Sequence, residues 1–289
     1  MRPLSIGDIT VSKLVEAEGP FMEPTRVMPD ATSDVFEAHR SWLAPHFHDY
    51  AQNLMIFSFH SYIVKTPHHT IVVDTCVGNH KDRHLPEWHQ LNTPYLDDMR
   101  AQHVAPEDVD YVMCTHLHGD HVGWNTQLSD GRWVPTFPKA KYLFSKGDWA
   151  HYENIKEGDH GYESWTDSVL PIMEAGLAEL VETDFALDDT VHLAPSPGHT
   201  PGHYCVHLKS KGQEAVMSGD LMHHPVQCVR PDWSSNFCAD PDASRVTRLA
   251  FVDRMAEHDV TVLAAHFAGP TAGHIVHGEG GGCVFRALT

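Results

Sequence analysis

Thr115-His116-Leu117-His118-Gly119-Asp120-His121-Val122-Gly123-Trp124 is the stretch that decides the fold. Four of its side chains can bind a metal ion: His116, His118, Asp120 and His121. The apolar run 109–114 directly before it is typical of a short buried strand. The four side chains therefore lie on the loop that leaves the carboxyl end of that strand, where open α/β sheets place their sites.

The spacing of these residues favours two metal ions. Side chains two apart in an extended segment point the same way, so His116 and His118 can hold one ion. Gly119 lets the chain turn and direct Asp120 and His121 to a second ion. The chain contains 25 His, and one histidine pair beside an aspartate is more often a surface or hydrogen-bonded feature. The complete H-x-H-x-D-H string after an apolar strand is more specific and predicts metal binding.

Composition and charge limit the class of protein. The 289 residues are 42% hydrophobic, enough to bury a substantial core in one large domain or two smaller ones. The six Cys are scattered without a C-x-x-C pair, which is typical of reduced thiols in a cytoplasmic protein. A formal net charge of -19 opposes binding to phosphate backbones, so we expect no nucleic-acid partner. The sequence has no apolar signal segment or long apolar run, so we expect no membrane contact.

Apolar patterning predicts a mixed α/β protein. Strands are predicted at 5–16, 53–64, 70–74, 109–114, 142–144, 190–194, 203–208, 214–217 and 260–265. Helices are predicted at about 94–102, 165–180 and 243–258. The turn 66–69 indicates a hairpin. The stretch 17–52, rich in proline, acidic and aromatic residues, is predicted to be irregular. Its apolar segment 41–48 would pack on the domain, a partner subunit or the pocket mouth, or form an ordered surface loop.

Later motifs again place metal-binding residue types at strand ends. His199 lies on the Gly- and Pro-framed turn Pro197-Gly198-His199-Thr200-Pro201-Gly202-His203. Asp220 and His266 each come at the end of a predicted strand. A lone histidine at a strand end is more often a hydrogen-bonded loop residue, but three such ends in one chain favour a shared site. Asp74, beside a turn that contains glycine, is predicted to fix its loop near the metals through hydrogen bonds.

In this order, the motifs H-x-H-x-D-H, P-G-H-T-P-G-H, S-G-D and a C-terminal A-H resemble those of the metallo-β-lactamase-fold hydrolases over roughly residues 54–280. The resemblance implies a single domain, 1–289, folded as a four-layer αββα sandwich with an N-terminal extension at about 17–52. It also implies a dinuclear site. One metal ion would be held by His116, His118 and His199, and the other by Asp120, His121 and His266, with Asp220 as the bridge between them.

The ligand chemistry agrees with hydrolysis. Imidazole and carboxylate suit zinc, iron, manganese or cobalt, and we expect two divalent ions, zinc first among these four. Two ions ~3.5–4 Å apart can share a hydroxide that is nucleophilic near neutral pH and attacks a carbonyl carbon or a phosphorus. One ion then polarises the oxygen that gains charge. Asp120 is the predicted catalytic residue because it can pass a proton to the leaving group.

Further features indicate a branch of that family. The aspartate at position 220 distinguishes this chain from true lactamases, which lack a carboxylate bridging the metals. The 23 residues that follow His266 are too few for the helical domain of the glutathione thioesterase branch. Residues 218–227 and 265–270 look most similar to quorum-quenching lactonases and methyl-parathion-hydrolase-like enzymes, many of which are homodimers. The resemblance thus implies a homodimeric lactonase, esterase or organophosphate hydrolase acting on a small lactone, ester or phosphotriester.

Aromatic and histidine side chains near the motifs are candidate substrate contacts. They are Trp124, Phe144, Trp149, His151, Tyr152, His223, His224, Phe267 and His274. The aromatic rings could pack against an acyl chain or aryl leaving group, and His224 and His274 could donate to a substrate oxygen. For each, packing or support of a metal ligand is the alternative.

Three other functions compete with this hypothesis. They are an iron-dependent oxygenase or redox protein, a thioesterase on the same fold, and a non-catalytic binding module. The complete ligand set argues against a mononuclear oxygenase and against a degenerate binding module. The sequence leaves open the physiological substrate, the native metal and the oligomeric state.

Overall fold

The structure is a computed structural model that describes residues 2–278 and 280–288. Its strands in chain order are β1 (Leu4–Ile6), β2 (Ile9–Met22), β3 (His48–Asp49), β4 (Leu54–Lys65), β5 (Thr70–Val73), β6 (Tyr111–Met113), β7 (Thr126–Ser129), β8 (Arg132–Pro135), β9 (Lys141–Ser145), β10 (Ala178–Val181), β11 (Val191–Pro195), β12 (Tyr204–Ser210), β13 (Gln213–Met217), β14 (Val260–Leu263), β15 (Ala272–His277) and β16 (Cys283–Ala287).

The α-helices are mostly short. They are α1 (Pro24–Val27), α2 (Ser33–Ala38), α3 (Arg40–Leu43), α4 (Tyr95–Ala101), α5 (Gly119–Val122), α6 (Lys146–Tyr152), α7 (Tyr162–Ser164), α8 (Leu170–Glu174), α9 (Val226–Val229) and α10 (Pro241–Glu257). Short 3-10 segments lie at Pro86–Trp88, Pro106–Asp108, Gly123–Asn125 and Gly219–Leu221, and a π-helical turn lies at Trp165–Val169. Within the described residues, no helix combines the length and apolar character needed to cross a bilayer.

The chain divides into two compact units. One contains Glu18–Ser58 and the described residues from Ala186 onward, and the other contains Arg2–Ala17 and Phe59–Phe185. We call them the C-terminal and N-terminal units. The assignment of a single domain with an extension at about 17–52 stays a prediction.

Two large sheets contain most of the strands. The first has the order β1-β2-β4-β5-β6-β9-β10, with β3 paired to β4, and the strands β5, β6, β9 and β10 run parallel to one another. The second has the sequential order β11 to β16 and is antiparallel except for the pair β13 and β14. The hairpin predicted at 66–69 is confirmed, since Lys65 and Thr70 face each other across β4 and β5. The predicted mixed α/β class is also confirmed.

Several predicted elements need correction. The helix predicted at 165–180 ends at Glu174, because Gly176 has a φ of +72° that stops a helix, and residues 178–181 then pair with β9 as β10. The first predicted strand is two strands, and β2 continues to Met22. The stretch 17–52 is not irregular throughout. It contains α1, α2 and α3, which bury Val27, Phe36 and Leu43.

Other elements were not predicted at all. The hairpin β7–β8 and the last two strands, β15 and β16, lie in polar or glycine-containing sequence with little alternation. The pairing of β15 with β14 completes one edge of the second sheet. Helix α6, at Lys146–Tyr152, was not predicted either.

The N-terminal unit has a core of buried side chains contributed by β2, β4, β5, β6, β9 and the helices that pack on them. Tyr95 stacks on Trp124 with ring centroids 5.0 Å apart, and its hydroxyl lies 2.5 Å from Ser61 Oγ. In the C-terminal unit, α10 is anchored by the fully buried Arg248, which donates to Pro231 O at 2.9 Å and to Ser244 Oγ at 3.0 Å.

A histidine pair on the second sheet couples folding to pH. His192 and His207 face each other across β11 and β12, with ring centroids 5.1 Å apart. Burial lowers the pKa of His207 to about 4, and His192 contributes to the decrease. In the unfolded chain the imidazole has its ordinary pKa of about 6.5. The unfolded state therefore takes up a proton first as the pH falls.

We predict that part of the free energy of unfolding is lost between pH 6.5 and pH 4 and that His207→Gln reduces this loss. The folded pKa is depressed, so the contribution of His207 is present above pH 6.5 and disappears as the pH falls through the folded value. Urea unfolding at a series of pH values measures it. His68→Gln, in an exposed turn, is the control. Equal pH slopes for wild type and His207→Gln would contradict the prediction.

Candidate metal centre

In the N-terminal unit, three neighbouring parallel strands deliver polar residues to one edge of the first sheet. Strands β5, β6 and β9 run in the same direction. Asp74 follows β5, the H-x-H-x-D-H loop follows β6, and Asp148 comes shortly after β9. The carboxyl ends of parallel strands meet at one sheet edge, so these side chains lie together.

The four predicted ligands of this loop form a compact cluster. The His116 ring lies 4.6 Å from the ring of His118 and 4.0 Å from the ring of His121, measured between centroids. Asp120 Oδ2 lies 3.6 Å from His121 Nε2. His116, Asp120 and His121 are buried, and His118 is half-buried. Helix α5 begins at Gly119, which is where the sequence predicted a turn.

Asp74 holds this loop, as predicted. Its carboxylate accepts hydrogen bonds from Thr115 N at 2.8 Å, from Thr115 Oγ1 at 2.9 Å, and from His121 Nδ1 at 2.9 Å. Because an ionised carboxylate can only accept, His121 carries its proton on Nδ1. Its Nε2 therefore presents a lone pair.

The same reasoning assigns the proton on His116. The Thr115 hydroxyl has one proton, which it donates to Asp74. Its oxygen then accepts from His116 Nδ1 at 3.1 Å. Like His121, His116 keeps a lone pair on Nε2. Histidines that bind metals in proteins show this pattern, with the outer nitrogen donating to a protein oxygen.

The loops after β5 and β6 are also joined through their backbones. Thr75 N donates to His121 O at 2.8 Å, Gly123 N to Cys76 O at 2.7 Å, and Trp124 N to Thr75 O at 2.7 Å. Gly123 is required at this contact, because a Cβ there would lie 1.9 Å from Val77 O. These contacts join the loop after β5 to the loop after β6 and hold the cluster in place.

Two buried carboxylates that support these loops were not predicted. Glu16 accepts from Val77 N at 2.7 Å, from Gly78 N at 3.1 Å and from Trp124 Nε1 at 2.6 Å, and burial raises the pKa of this carboxyl. No local pattern reveals Glu16, since its partners are 61 to 108 residues away. Asp148 accepts from Leu117 N at 3.1 Å. Its sequence signal was the helix start Ser145-x-x-Asp148, in which Ser145 caps α6.

A small cavity lies beside the loop in the same unit. It has a volume of about 60 Å³, and its lining includes Arg83, Trp88, Gly119 and His160. Arg83 donates to Asp167 Oδ2 at 2.7 Å. Sequence reasoning did not identify this cavity, because its lining comes from segments that have no common motif.

In the C-terminal unit, the later motifs meet at one edge of the second sheet. The parallel strands β13 and β14 end there, followed by Asp220 and His266. The turn between β11 and β12, which carries His199, lies at the same edge because β12 runs antiparallel to β13. Gly198 has a φ of +128°, and a Cβ on it would lie 2.2 Å from Ser244 N. Glycine thus lets the turn press against the start of α10.

His203, the last residue of the P-G-H-T-P-G-H motif, fixes Asp220. Its Nε2 accepts a hydrogen bond from Asp220 N at 2.9 Å, so the proton is on Nδ1, which donates to Ser196 Oγ at 2.7 Å. Both nitrogens are used, and His203 cannot also bind a metal. The sequence had not assigned this residue a role.

The Asp220 carboxylate faces two of the predicted ligands. Its Oδ2 lies 3.3 Å from His199 Nε2, and its Oδ1 lies 3.0 Å from His266 Nε2. All three residues are buried. The Nδ1 atom of His199 contacts Cys238 Sγ at 3.6 Å, which leaves Nε2 directed at the carboxylate.

These residues fit divalent metal ions. Two ligand atoms bound ~2.0–2.2 Å from one tetrahedral ion lie roughly 3.3 Å apart, which matches the contacts of Asp220 with His199 and His266. The two oxygens of the Asp220 carboxylate face different imidazoles. Imidazole and carboxylate donors without a thiolate suit zinc, iron, manganese or cobalt.

The predicted substrate contacts occupy different environments. Trp124, Phe144 and Tyr152 lie in the core of the N-terminal unit. Trp149 is half-buried there against Trp165, and His151 is exposed. The role of these five side chains in substrate binding stays a prediction.

In the C-terminal unit, Phe267 is fully buried against Phe47. His224 donates from Nε2 to Phe47 O at 2.8 Å and accepts from Val226 N at 3.2 Å, so neither nitrogen is available to a substrate in this conformation. Burial lowers the pKa of His224 to about 3. His274 is half-buried, 3.4 Å from Asp259 Oδ1. Their contacts with substrate also stay predictions.

A family model described as the metallo-beta-lactamase superfamily matches residues 60–266 of the chain. That range contains the H-x-H-x-D-H loop and every later motif. The chain belongs to the metallo-β-lactamase superfamily. The resemblance inferred from the motifs is confirmed.

One curated relative and two solved structures illustrate which proteins are similar to this chain. An N-acyl homoserine lactonase of Bacillus sp is 28% identical over 39% of this chain and 38% of its own length. The match thus spans about two fifths of this curated relative. The crystal structure of the hydrolase AbOPH in the beta lactamase superfamily has a TM-score of 0.82 at 24% identity, covering 99% of this chain and 97% of that chain. AidC, a dizinc quorum-quenching lactonase with bound product, has a TM-score of 0.80 at 17% identity, covering 100% and 97%.

We predict that Asp74→Asn weakens metal binding by roughly 10- to 100-fold, because the amide no longer orients His121 and Thr115 as the carboxylate does. Competition with a chromophoric chelator measures the affinity. Asp110→Asn is a matched control, since Asp110 also accepts a backbone N–H, from Thr70 at 2.8 Å, outside the cluster. Unchanged affinity in Asp74→Asn would show that the carboxylate does not orient the ligands.

Gly123→Ala should lower the free energy of unfolding by about 3 kcal/mol, because the added methyl group overlaps Val77 O and forces the two loops apart. Thermal and urea unfolding measure the change. Gly280→Ala is the control, because nothing lies within 4 Å of a Cβ built there. A difference of less than about 1 kcal/mol between the free energies of unfolding of these two variants would show that close packing at Gly123 is not needed to join the two loops.

Proposed function

We propose that this protein is a dinuclear metal-dependent hydrolase that acts on a small lactone, ester or phosphotriester. The placement of the Asp220 carboxylate carries the proposal, since its two oxygens face His199 and His266. Membership of the superfamily supports it. The lactonase names of similar proteins favour a lactone or related ester among the substrates.

The proposed ligand set follows the motif order of the superfamily. One ion is assigned to His116, His118 and His199, and the other to Asp120, His121 and His266, with Asp220 shared. The lone pairs assigned to His116 Nε2 and His121 Nε2 support this set. We propose zinc as the metal, because the donors suit it and because AidC is described as a dizinc lactonase.

When bound, such ions would activate water and stabilise negative charge on the oxygen of the attacked group. The residues of the chain supply orientation and proton transfer. Asp74 and Thr115 hold the imidazoles of His121 and His116 in one tautomer. His203 fixes the backbone at Asp220. We assign Asp120, which is buried, to accept a proton from the attacking water on a carboxylate oxygen and to pass that proton to the leaving group.

Three further proposals concern the substrate, the oligomeric state and the location of the protein. A small-molecule substrate, a homodimer with residues about 17–52 at the subunit contact, and a cytoplasmic location are proposals that follow from the sequence. Equilibrium sedimentation of wild type measures the oligomeric state. The oxygenase and thioesterase hypotheses gain no support from the contacts described above.

The proposed function predicts that the purified protein contains two metal ions per chain and hydrolyses members of a panel of lactones, aryl esters and phosphotriesters. Prolonged dialysis against a chelator should abolish turnover, and added zinc should restore it. Asp220→Asn should lose metal and lower kcat/KM by more than ~100-fold, because the shared ligand is lost. Metal analysis and initial rates measure both effects.

The control is Asp97→Asn, an exposed aspartate on α4. Its metal content and rates should equal those of wild type. One iron per chain with oxygen uptake and no hydrolysis would reject the hydrolase and favour the oxygenase. Two metals per chain without turnover of any panel member would reject the proposed substrate classes.

A further inference from the structure

His223 lies beside the Asp220 carboxylate but belongs to none of the ligand motifs. It is three residues after Asp220 and 3% exposed. Its Nε2 lies 3.3 Å from Asp220 Oδ2, the same oxygen that lies 3.3 Å from His199 Nε2. Its ring is 4.9 Å from the ring of His199 and nearly parallel to that of His266, at 5.9 Å.

The two ring nitrogens of His223 are not used inside the protein. Neither forms a hydrogen bond with any residue in the part of the chain that the structure describes. The contact with Asp220 is close but does not have hydrogen-bond geometry. A buried polar group without a hydrogen bond destabilises the folded protein, so such a group needs a physical explanation. In the neighbouring His224, by contrast, both ring nitrogens form hydrogen bonds with backbone atoms.

The backbone at His223 is held in place by a buried glutamine. Gln227 Oε1 accepts from His223 N at 2.7 Å and from His224 N at 3.3 Å, and Gln227 Nε2 donates to Trp233 O at 2.8 Å. Phe237 lies against the imidazole, with ring centroids 6.2 Å apart. The protein thus fixes the position of a side chain whose Nε2 contacts Asp220 and whose ring nitrogens form no hydrogen bond within the described residues.

We infer that His223 is a further ligand of the metal ion held by His199 and Asp220. One ligand atom from each of these three residues lies within 4.8 Å of the other two, as expected for donors around one ion. All three residues are buried. The inference rests on the proposed metal centre and adds an imidazole that the superfamily motifs do not include.

Beside His116, His118 and His199, His223 would be a fourth imidazole on this ion and would change the properties of the site. A neutral donor adds coordination without adding negative charge, so it holds the ion more tightly and leaves the total charge of the ligands unchanged. Because His223 contacts Asp220, it also limits rotation of that carboxylate. The competing explanation is that His223 serves only as a hydrogen-bond donor to Asp220, which a side-chain amide could replace.

Cobalt substitution separates these explanations. Metal-free wild type, His223→Phe and His223→Gln are titrated with Co²⁺ while the visible absorption spectrum and the affinity are recorded. Phe keeps the ring against Phe237 and removes both nitrogens. Gln keeps an N–H that can donate to Asp220 and removes the imidazole ligand. We expect both variants to show an altered cobalt spectrum and to bind one of two ions at least ~10-fold more weakly.

His224→Gln is the control for disturbance of the loop, because it removes an equally buried histidine whose nitrogens have protein partners. It should keep the wild-type cobalt spectrum. Circular dichroism and thermal unfolding verify that each variant folds. A wild-type spectrum and affinity in His223→Gln would overturn the inference and leave hydrogen bonding to Asp220 as the role. Failure of wild type itself to bind Co²⁺ would instead reject the proposed metal centre.

Discussion

The Asp74 carboxylate is the group on which the N-terminal cluster depends. It ends β5, accepts from the backbone and hydroxyl of Thr115, and accepts from His121 Nδ1. Through the Thr115 hydroxyl it also determines the tautomer of His116. A single buried charge thereby sets both the position of the loop and the direction of two lone pairs. The favourable energy of hydrogen bonds to a charged group among buried side chains makes this arrangement specific.

In the C-terminal unit a buried hydrogen bond also fixes a predicted metal ligand, but here a histidine holds an aspartate. There a neutral histidine, His203, accepts from the backbone of Asp220 and so fixes the carboxylate that faces His199 and His266. In both units, parallel strands bring polar loops to one sheet edge, and close packing at a glycine, Gly123 or Gly198, keeps the loops in place. Contacts within the protein therefore hold the side chains of both clusters in place. Preorganisation of this kind reduces the cost of ordering ligands on binding.

Local patterns predicted much of the fold and failed for identifiable reasons. The β4–β5 hairpin, α4, β12, β13 and α10 were found within a few residues, because their periodicity and turn residues are strong. The region 165–180 was assigned wholly to helix, since the apolar spacing that suits a helix continues into β10. Strands β15 and β16 were missed because their alternation is weak and their stability comes from pairing, of β15 with β14 and of β16 with β15. Long-range pairing can override local preference.

The sequence alone identified the superfamily, the motif order and the metal-binding residue types. Each motif is short, and its spacing follows from the directions in which side chains point at the end of a strand. It also predicted that Asp74 fixes a loop. Only the tertiary structure assigned protons to His116 and His121, gave His203 its role, and revealed Glu16, whose partners are distant in sequence. It also placed His223, a buried imidazole, against Asp220. A hydrogen bond forms only when the donor and the acceptor lie within a few tenths of an ångström of the favourable separation. For residues far apart in the chain, no local pattern encodes that separation.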